Sequence, residues 1–495
     1  MEKGTKQFAG LIGGPLLFLI SMMAARDGSL PPAATGVLAS TLWVALWWIT
    51  EAVPIAVTSL LPIILFPLSG GLEIKQTTAA YGNPMIFLFI GGFIIAVAIE
   101  RWRIHKRIAL NIIAAMGTSG SRIIFGFMLA TALLSMWISN TATALMMMPI
   151  GMAVVVQLGD GEGASRPYFG KALMLSIAYA ASIGGIATLI GTPTNVIFSA
   201  IVKQMYGHEV TFSQWFLFAL PLSGILLALS WLYLTQAAFP LRLGAIAGGR
   251  ENIREQLRRM GPMSRQEKAV SLIFVLTAAA WMGRSYILSS WVPGINDSII
   301  ALSGAMLLFV VPSGEGPGER LLHWEDAVKL PWGIILLFGG GLALAAGFKA
   351  SGLAEWIGRQ VQGLDQVPYF VLILLVVAAV NFLTEITSNV ATASVILPVL
   401  AALSQAIDVH PFGLMIAATI AASCAFMLPV ATPPNAVVFG SGEVEMSDMV
   451  RAGLRMNLIS IVVVSVYVLW VLPLLWHMDW HSFPAEFLSL VNILF

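Results

Sequence analysis

The chain has 495 residues, of which 58% are hydrophobic and only 10% are charged, and its formal net charge is +1. A soluble domain carries about 25% charged residues, so the composition excludes a soluble fold and predicts an all-α polytopic membrane protein. A nearly neutral chain also lacks the basic surface that a nucleic-acid partner requires.

Apolar stretches long enough to cross a bilayer recur along the chain. Two further apolar regions, 121–156 and 367–406, are each interrupted near the midpoint by polar residues. We expect each of these to be a re-entrant helical hairpin, because non-helical backbone at membrane depth must be covered by protein or line a cavity. The eleven other spans are predicted at 8–25, 33–50, 53–69, 84–100, 171–206, 213–237, 268–289, 297–312, 332–348, 412–440 and 452–476.

The polar phrase of the first hairpin returns in the second. "WISNTATALMMMP" covers 137–149, and "SNVATASVILP" covers 388–398, so that the two Ser-Asn pairs lie 249 positions apart. Ser, Asn and Thr are ordinary helix-capping residues, and capping alone would explain one such tip. Two matched tips instead indicate one structural unit used twice. Paired discontinuous segments in inverted repeats are typical of secondary transporters, with the binding site at the repeat interface.

Two of the predicted spans contain a second matched interruption. "GTPTN" at 191–195 and "ATPPN" at 431–435 lie in mid-span, 240 positions apart. Proline removes a backbone donor and clashes with the preceding helical turn. Each Thr-Pro-x-Asn motif therefore predicts an unwound segment within a broken helix.

The four polar interruptions lie in stretches without a basic side chain. No Lys or Arg occurs between Arg122 and Arg166, between Lys171 and Lys203, or between Arg359 and Arg451. The interruptions offer helix N-termini, which favour anions, together with carbonyl, hydroxyl and amide oxygens, which suit a hard cation such as Na⁺. Partial charges at helix ends cannot alone neutralise a dianion, so this chemistry favours cation-coupled anion transport.

The hairpin tips "SNT" at 139–141 and "SNV" at 388–390 resemble those of the divalent anion/sodium symporter family (DASS), which includes the INDY proteins, as do the "GTPTN" and "ATPPN" motifs. The resemblance extends from about residue 30 to 476. It implies a homodimer with scaffold and transport domains, moving in an elevator-like fashion and carrying C4-dicarboxylates, citrate or sulfate. Sodium-coupled symport of a di- or tricarboxylate is the expected function, and a sodium-independent exchanger of the same fold is the alternative.

Site residues follow from the resemblance, motif by motif. The first of two sodium sites would use Ser135, Ser139, Asn140 and the backbone at Gly191, and the second Thr384, Thr387, Asn389 and the backbone at Ala431. The substrate would contact Ser139, Asn140, Thr141, Thr192, Pro193, Ser388, Asn389, Val390, Thr432 and Pro433. Val390 stands where many family members have a second threonine, which affects the expected substrate preference.

The domain organisation follows from the same resemblance and from the placement of basic residues. The Arg-rich run 101–107 and linker 240–266 are expected in the cytoplasm, which puts the N-terminus inside a cell (inner) membrane and the C-terminus outside. The predicted division is scaffold helices with the start of repeat 1 (1–100), the first half of the transport domain (101–206), a helix and linker (207–267), scaffold helices with the start of repeat 2 (268–348), the second half of the transport domain (349–440) and a C-terminal helix (441–495).

One acidic residue and two other protein classes remain to be weighed. Glu385 lies beside the second tip at membrane depth, where either a structural hydrogen-bonding role or a cation or proton role is open. An intramembrane enzyme would need a nucleophile with a base, or metal ligands, and the spacing of the histidines provides neither, so no enzymatic activity is expected. A channel is disfavoured because a closed, hairpin-lined site suits alternating access.

Overall fold

The structure is a computed structural model that describes residues 2–24, 30–117, 119–157, 165–241, 249–360 and 366–487. Within these ranges the chain is helical, with one isolated bridge between Pro312 and Arg320 and no β-strand. Nine of the described helices are long and apolar enough to cross a membrane. The predicted all-α membrane architecture is confirmed.

The described residues of the first half of the chain form twelve α-helices. They are α1 (Glu2–Ala24), α2 (Pro32–Thr50), α3 (Ile55–Thr58), α4 (Leu61–Ser69), α5 (Ile74–Ala79), α6 (Pro84–Arg101), α7 (Ile104–Ala115), α8 (Gly120–Ser135), α9 (Asn140–Gln157), α10 (Ser165–Ile186), α11 (Pro193–Tyr206) and α12 (Phe212–Leu232). A 3-10 turn (Ala80–Gly82) precedes α6, and a π-helical turn (Tyr233–Ala238) follows α12.

The described residues of the second half of the chain form twelve further α-helices and one π-helical turn (Arg284–Leu288). They are α13 (Gly249–Met260), α14 (Arg265–Gly283), α15 (Ser289–Trp291), α16 (Asp297–Val310), α17 (Trp324–Ala327), α18 (Trp332–Ala350), α19 (Leu353–Gln360), α20 (Tyr369–Thr384), α21 (Asn389–Ala406), α22 (Pro411–Ala421), α23 (Pro433–Phe439) and α24 (Met446–Trp476).

The internal repeat is present in the helix boundaries. Helices α20 and α21 begin and end 249 positions after α8 and α9, and the first residue of α23 lies 240 positions after the first residue of α11. Both predicted hairpins therefore consist of two helices separated by a four-residue tip. Both predicted broken helices consist of two helices joined by an unwound segment, at 187–192 in the first repeat and at 422–432 in the second.

Three of the eleven predicted spans consist of shorter helices. The span 53–69 divides into α3 and α4 because Pro62 cannot donate the hydrogen bond that would continue α3. The span 297–312 is the single short helix α16, and 412–440 is the broken pair α22 and α23. Conversely, the hairpin arm α21 is itself long and apolar enough to cross a membrane.

Helix α10 lies at the centre of the molecule. In its most apolar stretch 94% of the residues are buried, against 11% in the corresponding stretch of α1, which packs against α2 at the periphery. Helix α10 is enclosed by α8, α9, α12 and α23. Small residues permit this close approach, since a Cβ at Gly184 would collide with the backbone of Ala132 on α8.

The two repeats pack against each other reciprocally. The half-helix α11 of the first repeat contacts α21 and α22 of the second, while the half-helix α23 of the second contacts α9 and α10 of the first. The start of α11 meets the second unwound segment where the Thr194 and Ser423 hydroxyls form a hydrogen bond of 2.9 Å. This exchange of half-helices places each half-helix against the hairpin or broken helix of the other repeat.

Candidate functional site

The two hairpin tips place matched amide side chains at the start of their second arms. Asn140 is the first residue of α9, and Asn389 is the first residue of α21. Both side chains are half-buried, as are the flanking Ser139 and Ser388. Since a helix N-terminus presents backbone N–H groups without partners, both tips offer donors to an anion.

The first tip forms a cluster of oxygen atoms with the unwound segment of its own repeat. The fully buried Ser135 hydroxyl donates to Asn140 Oδ1 at 2.6 Å and contacts the Ala181 carbonyl oxygen at 2.7 Å. The same Asn140 atom lies 3.2 Å from the carbonyl oxygens of both Ala181 and Gly191. Three of the four residues predicted for the first sodium site (Ser135, Asn140 and Gly191) therefore lie close together. The fourth, Ser139, accepts a hydrogen bond from Ala142 N at the start of α9.

This cluster fits a sodium ion by its donor set. If the Asn140 amide presents its oxygen, one hydroxyl and three carbonyl-type oxygens face one another, and a hard cation is the partner that stabilises them. If the amide is rotated, its nitrogen donates to both backbone carbonyls.

The second tip repeats this geometry with a threonine. The Thr384 hydroxyl donates to Asn389 Oδ1 at 2.6 Å and contacts the Ala422 carbonyl oxygen at 3.0 Å. Thr387, also predicted as a sodium ligand, instead bonds through its hydroxyl to the Leu383 carbonyl and to Thr392. The buried Ala431, the other predicted ligand, contributes its N–H to the unwound segment's own turn.

The two Thr-Pro-x-Asn motifs adopt the same local structure. Thr192 and Thr432 precede their half-helices with nearly identical backbone angles, φ −139° and ψ 142° against φ −140° and ψ 148°, and both are buried. Pro193 and Pro433 occupy the first helical position, where the missing N–H costs no hydrogen bond.

The asparagine of each motif holds the unwound segment. Asn195 Nδ2 donates to the carbonyls of Gly185, Ile186 and Thr188, and Asn435 Nδ2 donates to those of Ala425 and Leu428. Both amide oxygens are buried and accept no hydrogen bond from the described residues.

The remaining predicted substrate contacts lie at the tips and beside the half-helices. Thr141 and Val390 are half-buried, as is Pro193, whereas Pro433 is exposed. The sequence did not indicate that the carbonyls of Ala181 and Ala422 take part, because neither carries a polar side chain. A polar residue in the apolar run of α24, Asn457, is the one signal that could have indicated the environment of Glu385.

Glu385 forms the largest hydrogen-bond set at the site. Its buried carboxylate accepts from the consecutive N–H groups of Phe426, Met427 and Leu428 at 2.8, 3.0 and 3.0 Å, and from Asn457 Nδ2 at 2.7 Å. The structure thus supports a hydrogen-bonding role between the second tip and the second unwound segment.

Comparison with known proteins identifies the family of the chain. The family profile of the sodium:sulfate symporter transmembrane region matches residues 7–477. The chain belongs to this family. The predicted relationship to divalent anion/sodium symporters is thereby confirmed, and this is a family of transporters rather than enzymes.

Two relatives of this chain are named sodium-dependent dicarboxylate transporter SdcS. The protein from Staphylococcus saprophyticus is 46% identical over 475 residues, covering 94% of this chain and 92% of the relative. The protein from Staphylococcus aureus strain MRSA252 is 46% identical over 483 residues, covering 96% and 93%.

Two solved transporter structures share the fold. YdaH of Alcanivorax borkumensis has a TM-score of 0.57 at 15% identity, covering 80% of this chain and 86% of its own. MtrF of Neisseria gonorrhoeae, from a class of antimetabolite efflux pumps, has a TM-score of 0.56 at 13% identity, covering 82% and 84%. At sequence identities of 13% and 15%, the similarity to these two structures concerns the fold of the chain and not its substrate.

Proposed function

We propose that the protein is a secondary active transporter that couples sodium entry to the uptake of C4-dicarboxylates such as succinate, malate and fumarate, or of related di- and tricarboxylates. The observation that carries the proposal is the repeated pair Ser135–Asn140 and Thr384–Asn389, each bonded at 2.6 Å and each facing a backbone carbonyl. The names of the two staphylococcal relatives support both the coupling ion and the substrate class.

Two sodium ions are proposed, one in each oxygen cluster. The first would be held by Ser135, Ser139, Asn140 and the Gly191 carbonyl. The second would be held by Thr384, Asn389 and the Ala422 carbonyl, with Thr387 and Ala431 kept as predicted ligands. Oxygen-only shells of this kind suit Na⁺, and each ion adds the positive charge that the side chains at the four interruptions do not supply.

The substrate would lie between the two tips. Its carboxylates would be held by the hydroxyls, amides and N-terminal N–H groups at Ser139–Thr141 and Ser388–Asn389, with Thr192 and Thr432 completing the walls. Bound sodium ions beside each tip offset the repulsion between the dianion and the backbone carbonyls. This dependence makes the ions a condition for substrate binding, which is the requirement for symport.

Exchange without sodium is the less favoured alternative. An exchanger needs a fixed cation to replace the ions, and the stretches that contain the four interruptions include no Lys or Arg.

The working assembly is proposed to be a homodimer in the lipid of the cell membrane, with the N-terminus in the cytoplasm. Residues 101–206 and 349–440 would form the moving transport domain. The remaining helices, chiefly 1–100 and 268–348, would form the scaffold. The amphipathic helices α7 and α19, which lie at equivalent places in the two repeats, would connect the two domains.

Uptake into proteoliposomes tests the function. Purified protein should accumulate labelled succinate when an inward sodium gradient is imposed, and accumulation should stop when choline replaces sodium. Counterflow in sodium-free buffer separates the two transport modes. Full exchange of succinate without sodium would establish the exchanger and contradict symport.

A further inference from the structure

The two repeats differ at one position that contacts both the tip and the unwound segment. Glu385 of the second repeat corresponds, at the 249-residue offset, to Met136 of the first. In the first repeat an uncharged hydrogen bond connects the tip to the unwound segment: the Thr188 hydroxyl donates to the Met136 carbonyl at 2.6 Å. In the second repeat the Glu385 carboxylate makes this connection by accepting from three N–H groups of the unwound segment.

The first repeat shows that an unwound segment can be fixed against its hairpin tip without a charged group. Burying a carboxylate within a membrane protein costs several kcal/mol unless the group is fully paired. Glu385 is only 3% exposed, and in the part of the chain that the structure describes no basic side chain lies within 4.0 Å of its oxygens. All of its hydrogen-bond partners are donors, which is the set that an ionised carboxylate satisfies.

The position of Glu385 links this group to the second oxygen cluster. It directly follows Thr384, whose hydroxyl contacts both Asn389 and the Ala422 carbonyl. It fixes residues 426–428, four to six positions beyond Ala422, against the same tip. Displacement of these N–H groups would therefore move the Ala422 carbonyl relative to Asn389.

We propose that Glu385 is the positioning residue of the second sodium site and that it makes the two sites inequivalent. It holds the unwound segment of the second repeat at the distance from Thr384 and Asn389 that an ion requires, and it adds a fixed negative charge that the first repeat lacks. The second site consequently binds sodium more tightly than the first. This inference rests on the proposed sodium-coupled function.

The test compares Glu385→Gln with Tyr467→Phe in the purified full-length protein. Tyr467→Phe removes another buried hydrogen bond, from Tyr467 to the Phe218 carbonyl at 2.9 Å, from the helix that also carries Asn457. Sodium binding is read from the increase in melting temperature as NaCl replaces choline chloride at constant ionic strength, and independently from sodium activation of succinate uptake.

Glu385→Gln is expected to raise the half-saturating sodium concentration by about tenfold or more in both measurements, as for other groups that orient metal ligands. Uptake should recover at high sodium, and Tyr467→Phe should follow the wild type. A Glu385→Gln protein whose half-saturation stays within about twofold of the wild type would overturn the proposal.

A second variant covers a failure of Glu385→Gln to fold. Asn457→Ala keeps the carboxylate but removes one of its four donors and the 3.3 Å acceptor for Phe426 N–H, so a smaller shift in the same direction is expected. No shift in this variant would count against the proposal. If the wild type itself shows no sodium-dependent stabilisation or uptake, the proposed function fails, which is a different result from an unchanged variant of an active protein.

Discussion

Ser135 Oγ and the Asn140 side-chain amide form a hydrogen bond of 2.6 Å across the first hairpin tip, which joins the end of α8 to the start of α9. This bond holds the Asn140 amide beside the backbone carbonyls of Ala181, on α10, and Gly191, in the adjacent unwound segment. The asparagine is therefore held by a buried partner rather than exposed as a simple helix cap.

Removing either tip asparagine should abolish transport. Asn140→Ala and Asn389→Ala each delete the amide oxygen at the centre of an oxygen cluster, and we expect sodium-driven succinate uptake to fall by about 100-fold or more. Asn111→Ala is the matched control, because Asn111 is exposed on α7 and its side chain donates to the Arg107 carbonyl one turn earlier on the same helix. Robust uptake by either tip variant would refute the assignment.

A methyl group at Gly185 should disturb the first sodium site. A Cβ there would lie 2.7 Å from Asn140 Oδ1 and 3.0 Å from the Gly191 carbonyl oxygen, so both proposed ligands would have to move. We expect Gly185→Ala to raise the half-saturating sodium concentration by about tenfold. Gly224→Ala adds the same methyl group on α12, where nothing lies within 4 Å, and should leave sodium activation unchanged.

The Gly185 prediction has an internal comparison in the sequence. At the 240-residue offset of the broken helices, the corresponding residue of the second repeat is Ala425, so the second repeat accommodates a methyl group at a position where the first has none. Equal sodium activation of Gly185→Ala and Gly224→Ala would show that the first oxygen cluster holds no ion.

Val390→Thr should change the choice among acids. Val390 is half-buried beside the second tip, one residue beyond Asn389, and a threonine would add a hydroxyl of nearly the same size. We expect the relative uptake of succinate, malate and citrate to change by several-fold, since one hydrogen bond to a carboxylate is worth about 1.5–3 kcal/mol. Competition by each unlabelled acid measures the effect, and an identical competition profile would exclude Val390 from the substrate pocket.

Arg284 should contribute strongly to stability. It donates to Glu209 at 2.8 Å, and it lies 3.0 Å from Asp297 in an ion-pair contact that is not aligned as a hydrogen bond. Arg284→Met would leave the 1%-exposed Asp297 without its cation, and we expect a loss of roughly 3–5 kcal/mol, read as a lower melting temperature.

The control for this ion pair is Arg259→Met. Arg259 bonds to Glu255 on the same helix, with side chains 77% and 49% exposed, and such surface pairs contribute at most about 1 kcal/mol. A similar melting temperature for the two variants would show that the Arg284 cluster adds nothing beyond a surface pair.

Local patterns in the sequence were sufficient to predict most of the fold. The 249-residue offset predicted both hairpins, because each tip interrupts an apolar run with residues that start helices. Proline next to threonine and glycine or alanine predicted both broken helices, since proline removes a backbone donor and clashes with the preceding turn, although Pro149 and Pro398 alone do not interrupt α9 and α21. The division of 53–69 into α3 and α4 was missed, although Pro62 carries the same signal.

The site was predictable only where side chains carry the chemistry. Ser135, Asn140, Thr384 and Asn389 could be identified by motif, and they converge as expected. The contributions of Ala181 and Ala422 depend on backbone carbonyls brought from about forty residues away, and sequence spacing carries no information about such contacts. The same reason left the role of Glu385 open until its three N–H partners were located.

The hydrogen bonds of Glu385 also determine how the second site can open. For the hairpin of α20 and α21 to swing away as a local gate, the carboxylate would have to leave three N–H donors and Asn457, and each broken bond to a charged group costs about 1.5–3 kcal/mol. The sum, about 6 kcal/mol or more, means that the open gate would be populated in fewer than about one molecule in ten thousand. We therefore expect the tip and the broken helix to move together, and the ions to be released when the whole unit changes the side of the membrane that it faces.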